Sequence, residues 1–355
     1  MRKRLLALAG AAAGVGAGLV AQRAVVNRRR RHDPAEGERF GERRGVRSRT
    51  IELDDGANIF IEEAGPESPR GAVFVHGSAL RTDAWHYQLS GVGDHRLVFY
   101  DLRGHGRSQP KGDNPFSVAT NAEDLLRVIE DAGLDEVVIV GHSVGGMIGL
   151  ELCATHSHLL GTTIKGIVLV NTTYRPPYET IAGGATVAKV ERVLRNPLDM
   201  LGTRHAGIAR LRKMIRPSDS VFLAVSFAAF GTNASARQID FTYDMLSETP
   251  TDVLFDLVKC YRDFDVGDLL DAVTVPALVI TGTRDRLTLA EASRHLAENL
   301  PNARLEVLEG CGHMTMLERH AEFNDALEGF LDNALKVPSA QKRKRTNSRS
   351  RRVHA

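Results

Sequence analysis

The chain has 355 residues, 43% of them hydrophobic, and a formal net charge of +2 at pH 7, which is enough for one large α/β domain with appendages. Residues 1–49 carry thirteen Lys/Arg against four Asp/Glu, residues 338–355 carry seven against none, and the body between them has a net charge of −14. This acidic body argues against nucleic-acid binding except through the two basic ends, and three cysteines without C-x-x-C spacing argue against a disulfide framework.

The first segment, residues 1–31, is basic, then apolar, then basic again. Its apolar run, Leu5–Ala21, has 17 residues, the short end for a membrane span. We expect a membrane anchor, with a cleaved signal peptide or a peripheral basic helix as alternatives. More basic residues follow the run than precede it, so an anchor would keep the folded domain in the cytoplasm, whereas signal cleavage would mean export.

The next elements alternate in type along the chain. Residues 32–49 are charged and aperiodic, which is typical of a linker. A hairpin is predicted where Asp54-Asp55-Gly56 lies between two short strands, Thr50–Leu53 and Asn58–Glu63. Buried strands are predicted at Ala72–His76, Leu97–Asp101, Val137–Gly141, Ile167–Asn171, Ala277–Thr281 and Leu305–Leu308. Helical patterns lie between and after them, at 81–91, 118–132, 144–158, 288–300 and 320–335. This alternation predicts a mostly parallel sheet with helices on both faces.

Between residues 172 and 257 the alternation stops. The sequence there is helical without strand runs, for example at Ala185–Leu194, Ala206–Ile215 and Val221–Phe230. Such an insertion predicts a helical cap that excludes water and shapes a substrate pocket. The α/β core would then comprise residues 50–171 and 258–337. The last residues, 338–355, are basic and Ser-rich and are predicted to form a disordered tail.

The strongest motif is GHSVG, from Gly141 to Gly145, which follows the strand run VVIV and precedes an apolar helix. In this context G-x-S-x-G predicts a tight turn that presents Ser143 as a nucleophile at a helix N-terminus. The free N–H groups and the dipole of that helix would stabilise an oxyanion.

A serine hydroxyl needs a base to remove its proton. Asp285 follows the strand LVIT, and His313 follows the strand LEVL. Because the carboxyl ends of parallel strands meet at one edge of a sheet, we predict Asp285 as the acid and His313 as the base. Cys311 lies close to His313, but no elbow-type sequence surrounds it, so we interpret it as a buried free thiol.

Three other positions compete with Asp285 for the role of the acid. Asn171 ends the strand IVLV, an alternative acid position, but an amide supplies no negative charge. Asp263 and Asp265 are weaker candidates.

The sequence His76-Gly77-Ser78-Ala79 closes the strand AVFV. Gly77 would let the backbone fold over the nucleophile, so the N–H groups of Ser78 and Val144 are predicted to form an oxyanion hole, with Ala79 as the alternative to Ser78. We interpret His76 as structural.

No cofactor signal is present. The loop Asp101–Ser108 lacks the Lys-Ser/Thr of a phosphate-binding loop, so we interpret it as structural. The sequence contains neither an H-E-x-x-H motif nor EF-hand spacing. We therefore expect neither a metal nor a nucleotide cofactor.

Taken together, these motifs resemble the α/β-hydrolase superfamily, in the branch of esterases, lipases, C–C hydrolases and cofactor-free haloperoxidase-like enzymes. The resemblance covers residues 50–335. It rests on HG at 76–77, DLRGHGRS at 101–108, GHSVGG at 141–146, GTRDRLT at 282–288 and GCGHM at 310–314. It implies an eight-stranded, mostly parallel sheet, an inserted cap, acyl-enzyme chemistry and no cofactor. Ser rather than Asp at position 143 argues against the related haloalkane dehalogenases and epoxide hydrolases.

We therefore predict a serine hydrolase of the carboxylesterase or lipase type. Its substrates would be small-molecule esters, with lipid or other hydrophobic esters favoured. The alternatives are C–C bond hydrolysis or cofactor-free perhydrolase chemistry on the same three residues, and a non-catalytic binding protein on a hydrolase scaffold. Membrane association through residues 1–31 and the basic tail is expected, and nucleic acid is not expected as a partner.

Overall fold

The computed structural model describes residues 21–31, 33–42, 45–114, 116–181, 218–261 and 264–335. The apolar run up to residue 20, the predicted helices Ala185–Leu194 and Ala206–Ile215, and the predicted disordered tail lie outside these ranges.

Eight strands form one sheet in the order β1-β2-β4-β3-β5-β6-β7-β8. They are β1 (Arg47–Glu52), β2 (Asn58–Ala64), β3 (Arg70–Val75), β4 (Arg96–Tyr100), β5 (Glu136–His142), β6 (Ile164–Val170), β7 (Ala277–Gly282) and β8 (Ala303–Leu308). The β1–β2 and β2–β4 pairs are antiparallel, and the other neighbouring pairs are parallel. The predicted eight-stranded, mostly parallel sheet is confirmed.

The inner parts of the central strands are continuous apolar runs because both faces of the sheet are covered. Successive side chains of a strand point to opposite faces. In β3, Val73 belongs to one buried apolar cluster and Phe74 to another; in β5, Ile139 and Val140 divide in the same way. The core therefore consists of two layers, one on each side of the sheet.

Helices cover both layers. They are α1 (residues 21–30), α2 (His86–Gly91), α3 (Val118–Asp131), α4 (Val144–Thr155), α5 (Pro177–Thr180), α6 (Asp219–Ala229), α7 (Ala236–Glu248), α8 (Thr251–Cys260), α9 (Ala290–Asn299), α10 (Thr315–Glu318) and α11 (His320–Ala334). The side chain of Ser117 caps α3 by accepting the N–H of Thr120, as expected for a serine at an N-cap. Helix α4, which follows β5 directly, is buried along most of its length because it packs against the centre of the sheet.

Helices α6 and α7 belong to the stretch for which the sequence predicts a cap. Residues 21–31 and 33–42, which we call the N-terminal strap, lie against these two helices. Val26 of the strap is fully buried, and Phe40 stacks on Phe241 with ring centroids 4.9 Å apart.

The predicted transmembrane helix and membrane location require correction. Within the described ranges, no helix is long and apolar enough to cross a membrane. The arginines behind the apolar run, interpreted as flanking a membrane, instead contact the protein: Arg29 donates to Ser226, and Arg30 lies 2.9 Å from the carboxylate of Asp240. The described part of the basic segment therefore packs on the chain's own helices, and the membrane prediction is wrong.

Candidate active site

Ser143 lies between the end of β5 and the start of α4. Its backbone angles, φ 53° and ψ −120°, are rarely adopted by residues with a side chain. A Cβ on Gly141 would lie 2.3 Å from the carbonyl oxygen of Gly145, and a Cβ on Gly145 would lie 2.2 Å from that of Val75. Both positions therefore require glycine. The turn holds Ser143 at the N-terminus of α4, where negative charge is favoured.

Asp285 and His313 come together from the loops after β7 and β8. The Oδ2 atom of Asp285 lies 2.9 Å from Nδ1 of His313 and accepts the hydroxyl of Thr288 at 2.7 Å. The Oδ1 atom accepts the N–H groups of Leu287 at 2.8 Å and Thr288 at 3.0 Å. Burial alone would raise the pKa of Asp285, but the neighbouring His313 and these hydrogen bonds hold it below its usual value. Asp285 is therefore ionised at neutral pH and orients the imidazole.

Asn171 adds a donor that sequence reasoning missed. Its Nδ2 donates to Oδ2 of Asp285 at 2.8 Å, and its Oδ1 accepts the hydroxyl of Thr315 at 2.6 Å. The sequence marked this position as one for an alternative acid. In the structure, Asn171 instead stabilises the carboxylate of Asp285. Its backbone φ of 45° indicates that the amide is held there against a conformational cost.

His142 was also missed. Its Nε2 lies 3.0 Å from the carbonyl oxygen of His313, and the two rings are 4.7 Å apart. Because a carbonyl oxygen only accepts, Nε2 of His142 carries the proton. Burial lowers the pKa of His142 well below its usual value, so the ring is neutral. The residue before Ser143 thus fixes the backbone of the predicted base.

Glu318 joins the same loop to the end of α6. Its Oε1 accepts the N–H of Gly312 and its Oε2 accepts that of Gly231, both at 2.8 Å. The N–H of His313 donates to the carbonyl oxygen of Ala229 at 2.9 Å. Burial raises the pKa of Glu318 to about 7. The contacts that reach Gly231 and Ala229 are long-range, so local sequence patterns carry no signal for them.

The predicted oxyanion-hole segment lies over the nucleophile turn. A Cβ on Gly77 would lie 3.2 Å from the Cβ of Ser143. The N–H of Ala79 donates to Nε2 of His105 at 3.2 Å, so it is already engaged. The pair of Ser78 and Val144 remains the prediction for the oxyanion donors.

A cavity of about 450 Å³ contains this site. Ser143, His313 and Ser78 line it, and the hydroxyl of Ser78 hydrogen-bonds that of Tyr261, which also faces the cavity. Most of the remaining wall is apolar: Leu80, Met147, Pro177, Ile181, Ala224, Val225, Ala228, Ala229, Leu246, Leu287 and Met314. Among the described residues that line it, none is Lys, Arg, Asp or Glu. The site therefore presents the predicted nucleophile and the predicted base inside a chamber whose described lining is mostly apolar.

The residues interpreted as structural are engaged within the fold. Nε2 of His76 accepts the N–H of Leu102 at 2.9 Å, and burial lowers the pKa of His76 to about 4. In the loop Asp101–Ser108, Arg103 is almost fully buried and is ion-paired with Asp124 at 2.6 Å.

Of the remaining candidate residues, Cys311 and Asp265 are not among the described residues that hydrogen-bond His313. Burial raises the pKa of Cys311 to about 12, so its thiol stays protonated at neutral pH. Asp265 pairs with Arg175 at 3.6 Å, and Asp263 lies outside the described residues. Within those residues, no group of three or more His, Cys, Asp or Glu side chains is arranged to hold a metal ion.

Comparison with known proteins identifies the family of this chain. Residues 72–326 match the Alpha/beta hydrolase family, and the chain belongs to it. A relative named as carbamate hydrolase RutD, from Caulobacter sp. (strain K31), is 28% identical over 269 residues, which cover 75% of this chain and 92% of the relative. A relative named non-heme chloroperoxidase, from Streptomyces lividans, is 29% identical over 284 residues, 77% of this chain and 95% of the relative. The solved structure of a thermophilic esterase is 26% identical, with a TM-score of 0.58, and the match covers 81% of this chain and 98% of that one.

Proposed function

We propose that this α/β hydrolase cleaves carboxylic esters with an apolar acyl group through an acyl-enzyme intermediate. One observation carries the proposal: Ser143, in its strained turn, and His313, bonded to Asp285, line the same apolar cavity. The assigned roles are nucleophile for Ser143, base for His313 and orienting acid for Asp285.

The reaction follows from these positions. Because Nδ1 of His313 donates to Asp285, its Nε2 is free to accept the proton of Ser143 as Oγ attacks the ester carbonyl. The carbonyl oxygen becomes an oxyanion, which the N–H groups of Ser78 and Val144 stabilise. The C–O bond to the alcohol then breaks, and His313 gives its proton to the leaving oxygen. Water, deprotonated by His313, then attacks the acyl carbon. The bond from this carbon to Oγ of Ser143 breaks, His313 returns the proton to Oγ, and the carboxylic acid is released.

The cavity wall favours an apolar ester over a small polar substrate such as a carbamate. Burying an unpaired polar or charged group in an apolar chamber costs about 1–3 kcal/mol or more. The wall near Met147, Leu246 and Met314 instead gains free energy from each buried methylene, about 0.8 kcal/mol. A hydrocarbon acyl chain therefore fits this lining better than a carbamate does.

The second candidate is perhydrolase chemistry, in which hydrogen peroxide replaces water in attacking the acyl group. Its support is the similarity of this chain to the relative named non-heme chloroperoxidase. Formation of a peracid from an organic acid and hydrogen peroxide, at a rate exceeding ester hydrolysis, would favour this candidate. Two alternatives remain. Turnover of a vinylogous diketone would favour C–C bond hydrolysis. Failure of a fluorophosphonate to label the protein would favour a non-catalytic binding role.

Hydrolysis of p-nitrophenyl esters from acetyl to palmitoyl tests the proposal, with Ser143→Ala as the inactive variant. We expect wild-type turnover that is lost in the variant and is greatest for an acyl chain longer than acetyl. Ser78→Ala is the matched control, because it removes a hydroxyl that also lines the cavity but leaves the backbone N–H. Wild-type protein that neither turns over any ester nor reacts with a fluorophosphonate would refute the assignment of Ser143.

A further inference from the structure

Two helices of the predicted cap form one wall of the substrate cavity. Helix α6 contributes Ala224, Val225, Ala228 and Ala229, and helix α7 contributes Thr242 and Leu246. The size of the chamber therefore depends on how these two helices are held. The N-terminal strap contacts both helices and lies outside the part of the chain that matches the hydrolase family, residues 72–326.

The strap contacts a face of α6 that lies opposite the cavity-lining residues Ala224 and Ala228. Arg29 donates to the hydroxyl of Ser226, and the guanidinium of Arg30 lies 5.2 Å from the ring centroid of Phe222. Positions 222 and 226 are four apart and share one helix face, whereas the cavity-lining positions 224 and 228 share the opposite face, and positions 225 and 229 border the face that the strap contacts. Val26, which is fully buried, belongs to the same apolar cluster as Phe222.

The strap also holds the start of α7 through Asp33, which is only 7% exposed. Its carboxylate accepts the hydroxyl of Ser235 at 2.6 Å and the N–H groups of Ala236 at 2.5 Å and Arg237 at 3.3 Å. A carboxylate is stabilising at this end of a helix because the free N–H groups and the helix dipole are positive there.

Further along α7, the strap again lies opposite the cavity. Arg30 lies 2.9 Å from Asp240, and Phe40 stacks on Phe241. The cavity-lining residues Thr242 and Leu246 are four apart and lie on the opposite side of the helix from Asp240.

From these contacts we infer that the N-terminal strap is a specificity element of the site, and that Asp33 is its central positioning residue. By holding α6 and α7 from outside, the strap sets the position of the wall that long acyl groups touch. Short acyl groups, which reach Ser143 without touching that wall, do not depend on it. The substrate part of this inference rests on the proposed esterase function.

The test compares Asp33→Ala, Asp33→Asn and the control Glu36→Ala, which removes an exposed carboxylate from the same strap. The substrates are p-nitrophenyl acetate and the longest ester that the wild type cleaves efficiently. We expect Asp33→Ala to lower kcat/KM for the long ester about tenfold, mainly through KM, and to leave that for acetate within about twofold. Asp33→Asn, which keeps one acceptor oxygen, should show a smaller loss, and Glu36→Ala should match the wild type. If Asp33→Ala does not fold, Arg30→Gln makes the same comparison.

Hydrogen exchange of residues 219–248 separates this inference from the proposed function, because it needs no substrate. We expect faster exchange in Asp33→Ala than in the wild type and in Glu36→Ala. Unchanged exchange overturns the inference even if no ester is ever cleaved. Faster exchange with an unchanged ratio of long-ester to acetate activity also overturns it, because the strap would then stabilise the helices without shaping the cavity. If the wild type cleaves no ester, labelling by short- and long-chain fluorophosphonates replaces turnover, and an unchanged ratio of labelling rates has the same meaning.

Discussion

Replacing Asp285 by Asn changes one atom in the most densely hydrogen-bonded carboxylate of the candidate site. Three donors reach Oδ2, from His313, Thr288 and Asn171, and two backbone N–H groups, of Leu287 and Thr288, reach Oδ1. An amide has only one acceptor oxygen. If its NH2 group takes the place of Oδ2 it opposes three donors, and if it takes the place of Oδ1 it opposes two. The second arrangement is less unfavourable because it keeps the bond to His313.

Even that arrangement loses two hydrogen bonds to a charged acceptor, each contributing about 1.5–3 kcal/mol. We therefore expect Asp285→Asn to lower the free energy of unfolding by about 3 kcal/mol at pH 7. Because the folded pKa of Asp285 lies below the unfolded value, the wild-type advantage is present above the unfolded pKa and is lost as pH falls through the folded one. For activity, the loss of charge beside the imidazole predicts a fall in kcat of about 10³–10⁴-fold, equivalent to about 4–5.5 kcal/mol of transition-state stabilisation.

Steady-state hydrolysis of a p-nitrophenyl ester and thermal unfolding at several pH values measure the two effects. The matched control is Asp265→Asn, because sequence reasoning left Asp265 open as an alternative acid and the structure pairs it with Arg175. The reasoning is refuted if Asp285→Asn retains more than about a tenth of wild-type kcat, or if the control loses as much activity as Asp285→Asn.

Three further perturbations test other features. The pKa of Glu318 is raised from 4.5 to about 7, so between these pH values the folded chain holds a proton that the unfolded chain has released. The stability of the wild type should therefore fall as pH rises through this window. Glu318→Gln should flatten the profile of Tm against pH. In Gly77→Ala, the new Cβ would lie 2.5 Å from Nδ1 of His142, so kcat/KM should fall at least about tenfold with the circular dichroism spectrum unchanged. Ala228→Asp puts a carboxylate in the apolar wall, so KM for a long ester should rise about tenfold, with acetate less affected.

Each of these variants has a control. Glu322→Gln changes an exposed carboxylate and should keep the wild-type pH profile. Gly93→Ala has open space for its Cβ and should keep full activity. Ala119→Asp adds the same charge on an exposed helix position. If any control behaves like its partner, the local explanation for that pair is wrong.

The fold and the meeting of three site residues could be predicted because both depend on regular geometry. Ser143, Asp285 and His313 follow β5, β7 and β8, and parallel strands of one sheet end at a common edge. Local patterns are sufficient for this: an apolar run locates each strand, and the turn or loop that follows the strand lies at this edge of the sheet.

The residues that support these three could not be predicted in this way. Asn171 is 114 residues from Asp285, and Glu318 is 87 residues from Gly231. No periodic pattern reports a hydrogen bond across such a separation. The membrane prediction for the basic N-terminal segment was wrong for a related reason. Hydropathy assigns Leu5–Ala21 to a membrane. The residues that follow this run instead pair with the protein itself, as Arg30 does with Asp240, and that ion pair joins residues 210 apart in the sequence.

The strap also has a consequence for the order in which parts of the chain can fold during synthesis. Asp33 leaves the ribosome early, but its partner Ser235 lies 202 residues later in the chain. At about 5–20 residues per second, synthesis reaches that partner some 10–40 seconds after Asp33 has been made. The first described part of the chain to be synthesised thus cannot dock before the cap helices have emerged, and until then the wall of the chamber has no outer support.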